Sequence, residues 1–340
     1  MKYNQLLFNM IKKFLSTLAV AALAVTTVSC GGGNKSTSTS GSMTMLCDDS
    51  FQNILEEEIS VFEYIYQKSH ILSRYVSQKE CLDSLFEGDV KTIVIGRDLT
   101  ANEMNGLKKK HHSLRSMKIA VDAVALIVNP ENTVDYLSMN EIGSILSGEI
   151  ENWADVTPGA PNVPIEVVFD REGSGLASYM RDSLLDGRSF GRHVYATGSV
   201  EGVLERVKAK KGAIGVIGVS WLTKDLTMGG RSAEEIVSDL KADSLAVSGV
   251  EINDRMDKSG VKVLGVMRYK AVPYKPYQQN IYDGSYPLTR PIYMVTYASP
   301  SSLAGSFYTY VTGVDGQKLI MKTGILPARM QINVVELVDQ

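Results

Sequence analysis

The run Val167-Val168-Phe169-Asp170-Arg171-Glu172-Gly173-Ser174-Gly175-Leu176-Ala177-Ser178-Tyr179-Met180 reads as a buried strand, a glycine turn and the start of an amphipathic helix. An arginine and a serine on such a turn can hold an anion. The first N–H groups of a helix lack intrahelical acceptors, a hydroxyl adds a donor, and a guanidinium offers a planar fork. Convergence of Arg171, Ser174 and the amides of Gly175 and Leu176 would fit a tetrahedral oxyanion. The plain alternative is an ordinary glycine turn with no ligand. A third possibility makes Ser174 a nucleophile, with His193 and Asp170 available by type as base and orienting acid. Against it, Glu172-Gly173-Ser174-Gly175 lacks the Gly-x-Ser-x-Gly elbow.

The elements that would position such a site alternate between strand and helix. Met43–Cys47 reads as a first strand, followed by Asp48-Asp49-Ser50 and a helical spacing from Phe51 to Gln67, with Asp49 or Ser50 as its cap. His70–Val76 is a second strand, Glu80–Phe86 a short helix closed by Gly88, and Val90–Ile95 a third, wholly apolar strand that runs into Gly96-Arg97-Asp98-Leu99-Thr100. Alternation of this kind implies an α/β fold with a mostly parallel sheet, whose ligands sit at the C-terminal strand ends. Ser50, Arg97 and the Arg171–Ser174 turn all fall at such ends. The apolar run Ile119–Val128 is long enough to cross between two lobes, and Pro287–Tyr297 is suited to return. Between them lie a capped helix from Ser138 to Gly148, a turn with a packed aromatic at Asn152-Trp153, a strand over Pro164–Phe169, and a strand over Lys211–Gly218 in which Gly215 and Gly218 signal close backbone approach. Ile236–Ser259 reads as helix plus loops, and Ser301–Thr312 and Gln317–Thr323 as final helices.

The N-terminus places this body outside the cytoplasm. Residues 1–29 carry Lys2, Lys12 and Lys13, no acid, and a short apolar run from Phe14 to Val25, the layout of a secretory signal. Thr27-Val28-Ser29-Cys30 is similar to a bacterial lipobox, with Cys30 as the lipidated residue. Residues 30–42, rich in Gly, Ser and Thr, read as a flexible tether. Loss of three lysines moves the formal charge of −3 to −6, which argues against nucleic acid and anionic membrane as general partners. The membrane is reached through the lipid anchor alone. An anionic ligand must then be captured by local donors. Cys47 and Cys81 could pair in an oxidising compartment or stay as separate buried thiols, and the four histidines show no zinc spacing, so no metal or cofactor is expected. Tyr274, Tyr277, Tyr282 and Tyr286 read as core or rim packing. The exported chain, roughly 300 residues with ordinary apolar content, suits two lobes with separate cores.

The ordered blocks Ile119–Pro130 (IAVDAVALIVNP), Leu137–Trp153 (LSMNEIGSILSGEIENW), the Arg171–Gly175 turn, Gly212–Gly218 (GAIGVIG), Tyr286–Met294 (YPLTRPIYM) and Gly316–Pro327 (GQKLIMKTGILP) together resemble the phosphate-binding, PstS-like substrate-binding proteins of bacterial ABC transporters. The resemblance implies a two-lobed periplasmic-binding-protein-like fold, with helices on both sheet faces and hinge strands between lobes. Lobe 1 would comprise residues 43–121 and 292–340, and lobe 2 residues 122–291. It implies a monomeric, lipid-anchored receptor that captures inorganic phosphate and delivers it to an ABC permease with no covalent step. Family contacts carry over to Ser50 with the amide of Phe51, to Arg97 and Asp98, and to Arg171, Ser174, Gly175 and Leu176. Two departures stand out: Leu176 replaces the usual threonine, and Asp48-Asp49-Ser50 replaces a loop rich in glycine and hydroxyls. A carboxylate would accept the ligand's own O–H and repel fully ionised sulfate. Asp98 is the first candidate, with Asp49 and Asp122 behind it. Each also has a structural reading, and Arg97 could instead pair with a neighbouring surface acid.

Overall fold

The computed structural model describes residues 37–160, 162–223, 232–241, 253–254, 256–268 and 272–329. The signal, Cys30 and most of the tether lie outside these residues, as does much of Ile236–Ser259. β1 (Ser40–Asp48) pairs in parallel with β2 (Lys68–Val76), and its inner half also pairs with β3 (Thr92–Ile95). α1 (Gln52–Ile65) joins β1 to β2, α2 (Gln78–Glu87) joins β2 to β3, and α3 (Ala101–Lys110) follows β3. β1 begins inside the stretch expected to be tether, because Ser40, Gly41 and Ser42 find ladder partners at Lys68, Ser69 and His70. Their backbone groups are satisfied by the sheet although their side chains bury little.

β4 (Arg115–Val128) is the strand that joins two half-sheets. Its first part, through Ala123, lies antiparallel to β11 (Thr289–Thr296), and from Val124 onward it lies antiparallel to β8 (Ala213–Gly218). The second half-sheet continues in parallel from β8 to β6 (Glu166–Phe169) and β7 (Val194–Ala196). The sheet is therefore mixed, parallel on its flanks and antiparallel where β4 and β11 carry the chain between halves. A small pair, β5 (Tyr136–Ser138) with β10 (Gly265–Met267), and two short strands on β4, β9 (Lys262–Val263) and β12 (Leu326–Pro327), complete the strands among the described residues.

The helices cover both faces. α4 (Met139–Ser147), α5 (Gly175–Leu184) and α6 (Val200–Ala209) belong to the second half. α7 (Ala233–Lys241), α8 (Gln278–Tyr282), α9 (Leu303–Val311) and α10 (Val314–Lys322) follow. α3 and α4 each begin with the reciprocal capping box read from Thr100-x-x-Glu103 and Ser138-x-x-Glu141. The expected cap of the first helix differs. Asp48, not Asp49 or Ser50, accepts the Ser50 N–H and opens a 3-10 turn over Asp49–Phe51, from which α1 continues with no side-chain cap. Gly215 sits where a methyl would meet Val203 and Val207 of α6 and Ile127 of β4 at 2.7–2.9 Å, the close approach its strand position predicts.

Each half has its own core. One gathers Val124–Val128 with Ile142, Phe169, Met180 and Val203, and the other gathers Met45, Phe51, Ile54, Phe62 and Phe307. Trp153 is fully buried and donates to the Gly212 carbonyl at 3.0 Å, and buried Tyr286 donates to Val124 at 2.6 Å. Cys47 and Cys81 are free buried thiols. No helix among the described residues is long and apolar enough to cross a membrane.

One charge in this frame is out of place. Glu58 is 1% exposed on the inner face of α1, and neither carboxyl oxygen has a hydrogen-bond partner among the described residues. Burial, with Glu57 adding repulsion, pushes its carboxyl well above the ordinary 4.5. A folded value above the unfolded one makes stability greatest below the ordinary value and erodes it as pH rises. Glu58→Gln should therefore match the native protein in urea unfolding near pH 4 and exceed it at pH 7–8. The gap should widen by at most about 1.4 kcal/mol per pH unit.

Candidate functional site

The end of β1 and the end of β6 face each other. Asp48 closes β1 with its side chain buried, and its Oδ1 accepts both the Ser50 N–H at 3.1 Å and the Ser50 hydroxyl at 2.6 Å. Phe51 follows, wholly buried in the core of its half. Across from it, β6 ends at Asp170 and the chain turns through Gly173, which takes a φ of 69° that a side chain would resist. Ser174 caps α5 by accepting the Ala177 N–H at 3.2 Å, while its hydroxyl donates to Asp170 Oδ1 at 2.8 Å. The intrahelical ladder starts at Ser178 N–H to Ser174 C=O, so the N–H groups of Gly175 and Leu176 lie ahead of it. Leu176 turns its side chain into the core of the second half, and only its amide is available to a ligand.

Two contacts close the space between these ends. A Cβ built on Gly175 would lie 1.8 Å from Asp48 Oδ2, so only glycine allows the first turn of α5 to approach that carboxylate. Arg171, about half exposed, reaches Asp49 Oδ2 at 3.6 Å and donates from Nε to the Gly198 carbonyl at 3.3 Å. The structure thus brings together Ser50, Phe51, Arg171, Ser174, Gly175 and Leu176 from two distant stretches of sequence.

Beneath them lies Arg290, 1% exposed, on β11 directly opposite Asp122 of β4. Its Nε and Nη2 donate to Asp122 Oδ2 at 3.1 and 2.9 Å, and its Nη1 donates to the Ser50 hydroxyl at 3.0 Å. The guanidinium also lies 4.3 Å from the Phe51 ring centre. Gly218 on β8 gives Asp122 its room: a methyl there would stand 3.2 Å from Asp122 Oδ2. Asp122, a candidate acceptor of a ligand proton, is committed to Arg290. The sequence reading passed over Arg290. Its signal was present, since Arg290 and Asp122 are lone charges inside two long apolar strands, and such charges are retained when they pair.

Arg97 and Asp98 are held elsewhere. Arg97 makes a two-pronged contact with Glu103, at 2.8 and 2.9 Å, and so joins the capping box of α3. The Arg97 guanidinium first, and then the Thr100 N–H, hold the Glu103 carboxyl down to about 2. Asp98 accepts from the Leu99 N–H and the Ser116 hydroxyl at 2.7 Å each. The neighbouring-acid reading of Arg97 is the one this geometry matches. His193 also stands apart from Ser174, with Nε2 2.7 Å from the Ile145 carbonyl and Nδ1 4.0 Å from Glu151, so Ser174, His193 and Asp170 form no triad.

The field at the site is set by carboxylates as much as by donors. Burial first, then Asp48 and Asp170, raise the Asp49 carboxyl to about 7 against the pull of Arg171. Asp48 is raised too, by burial above all, with Arg290 and Ser50 opposing. Among the described residues, no cluster of histidine, cysteine or carboxylate could hold a metal ion. A surface groove of about 600 Å³ between α4 and α5, lined by Asn140, Ser144, Ser183 and Arg188, shares no residue with the two facing strand ends.

A family profile described as "PBP superfamily domain" matches residues 32–315. The chain belongs to the PBP superfamily. Within it, the chain is 23% identical over 327 residues to "Phosphate-binding protein PstS" of Bacillus subtilis, covering 93% of this chain and 94% of that one. It is 19% identical over 309 residues to the PstS protein of Pseudomonas aeruginosa strain PAO1, covering 86% and 85%. Among solved structures it resembles a putative phosphate ABC transporter substrate-binding protein with bound phosphate from Clostridium perfringens, with a TM-score of 0.63 and 20% identity over 85% of this chain and all of that one. An ABC-type phosphate transport receptor from Vibrio cholerae gives a TM-score of 0.59 at 20% identity over 84% of this chain and all of that one. The two half-sheets joined by β4 and β11 are this superfamily's two-lobed architecture.

Arg290 is the joint to test. Arg290→Met strands Asp122 in a dry interior and should cost about 3–5 kcal/mol in denaturant unfolding. Arg290→Met combined with Asp122→Leu should recover most of that loss. Equal losses in the single and double variants would show that the pair's charge balance is not what holds the joint.

Proposed function

We propose that this chain is an extracytoplasmic solute-binding protein that captures inorganic phosphate between its two lobes and delivers it, unchanged, to an ABC permease. The lobes are taken as residues 43–121 with 292–340 and residues 122–291. The export signal and Cys30 read from the sequence would anchor it by lipid outside the cytoplasmic membrane, where it would act as a monomer. The observation that carries the reading is the meeting of the Ser50 loop with the capped N-terminus of α5 and Arg171. The end of β1 and the first turn of α5 approach at Asp48 and Gly175, each beside a serine hydroxyl, and Arg171 reaches across to Asp49. The relatives and structural neighbours named for phosphate binding support the choice of ligand.

The chemistry asked of the site is binding and release. Ser50 and Ser174 offer hydroxyls, Phe51, Gly175 and Leu176 offer N–H groups, and Arg171 offers a half-exposed guanidinium fork. The N-terminal end of α5 adds its partial positive charge. Asp49, poised near neutrality, can accept the O–H of hydrogen phosphate, which sulfate lacks. Ligand held by both lobes favours their closed arrangement, and loss of those contacts favours release.

Thermal unfolding of residues 37–340 tests this reading. Phosphate at a hundred times its Kd should add about 2.7 kcal/mol of stability, and sulfate should add far less. Arg171→Ala, at a half-exposed position, should keep the fold and weaken phosphate by about 1.5–3 kcal/mol. No shift with phosphate, sulfate, molybdate or tungstate would reject the reading in favour of a non-transport lipoprotein that reuses the fold.

A further inference from the structure

Asp48 stands in an unusual place for a carboxylate in an anion receptor. It is the last residue of β1 and has no exposed surface. Its Oδ1 takes both donors of Ser50, the N–H and the O–H. Its Oδ2 has no hydrogen-bond partner among the described residues and is aimed at the first residue of α5, where a methyl on Gly175 would overlap Oδ2 at 1.8 Å and both Cγ and Oδ1 at 2.5 Å. α5 is a ten-residue helix capped by Ser174, so its first turn presents free N–H groups and a partial positive charge at this point. The carboxylate therefore stands where a bound oxyanion would stand, and it uses the Ser50 donors that such an anion would use.

We infer that Asp48 is a built-in competitor for the oxyanion seat and so determines specificity: phosphate enters only together with a proton that neutralises the Asp48 carboxylate and lets it give up Ser50 and the α5 N-terminus. This rests on the phosphate reading of the site. Two anions cannot share one dry seat without a compensating cation or proton. The charged and titratable groups around Asp48 leave a proton as the available compensation. Arg290 on β11 is bound to Asp122 on β4, Asp170 after β6 repels, Arg171 drawn onto the anion would leave Asp49 unpaired beside Asp48, and Cys47 and Cys81 of β1 and α2 are buried thiols. Burial raises the Asp48 carboxyl above its ordinary value, in the direction that makes uptake of that proton accessible. Anion binding is then proton-coupled and weakens as pH rises, beyond the change caused by phosphate's own titration.

Isothermal calorimetry with inorganic phosphate from pH 5.5 to 8.5 tests this, on the native chain and on Asp48→Asn, which keeps the shape and an acceptor for Ser50. Asp48→Ser serves as a second, smaller variant, with melting curves to check that each is folded. The ratio of variant to native affinity is read at each pH, where phosphate's own titration cancels. The ratio should be at least about tenfold at pH 8 and fall toward one at pH 5.5. Titrations in two buffers of different ionisation heat should show the native chain taking up about one more proton per phosphate than either variant. If the native chain binds phosphate while both folded variants bind equally or more weakly at every pH, Asp48 is a ligand contact or a bystander; the inference fails and the phosphate reading stands. If neither native chain nor variants bind phosphate at any pH, both fail.

Discussion

A single buried guanidinium organises this molecule. Arg290 lies opposite Asp122 in the antiparallel register of β11 and β4, the two strands that carry the chain between lobes. In a low-dielectric interior neither charge is tolerated alone, so each fixes the other. The pair is then spent on a second task. The Nη1 of Arg290 holds the Ser50 hydroxyl, and the guanidinium face lies on Phe51, so the loop after β1 is referenced to the hinge strands. Gly218 on β8 supplies the remaining room for Asp122. Three chain segments far apart in sequence thus share one electrostatic anchor, and the site's Ser50 inherits its position from it.

The site built on that anchor balances donors against acids. Ser50 and Ser174 are each engaged by a carboxylate, Asp48 and Asp170, and Arg171 leans toward Asp49. The hydroxyls and the guanidinium a phosphate would use already have internal partners, while the Gly175 and Leu176 N–H groups stand ahead of the α5 ladder. Binding must therefore be an exchange of partners, in which the ligand's negative charge replaces a carboxylate's. Such an arrangement keeps the two serine hydroxyls hydrogen-bonded without ligand. Arg171, half exposed, is placed to turn toward an incoming anion.

Much of this was legible in the sequence. Alternating strands and helices gave the α/β class, and the apolar runs Ile119–Val128 and Pro287–Tyr297 gave the two crossing strands, now β4 and β11. The turn at Arg171–Gly175 is a strand–turn–helix with Ser174 as its cap. What local pattern could not reveal depends on partners distant in the chain. Arg290 gains its meaning only when β11 is laid against β4, which sets it opposite Asp122. Arg97 shared the residue type and strand-end position of a ligand contact, yet Glu103 six residues on captures it. Asp48 read as part of a polar loop, and its importance comes from Gly175, more than a hundred residues away, which has no side chain to keep the two apart. Ser40–Ser42 read as tether because composition reports side chains, while β pairing to Lys68–His70 is made by backbone.

If the Ser50 loop, Arg171 and the N-terminus of α5 form one oxyanion seat, a bound anion must be found there. Crystals grown with arsenate, a heavy-atom stand-in for phosphate, address it directly through the anomalous signal of arsenic. One dominant arsenic peak is expected between the lobes, with its oxygens bonded to Ser50, Ser174 and the Gly175 amide, Arg171 drawn onto it, and the Asp48 carboxyl turned off Gly175. An arsenic peak elsewhere on the molecule, with Asp48 still seated against Gly175 and Arg171 in solvent, would contradict it.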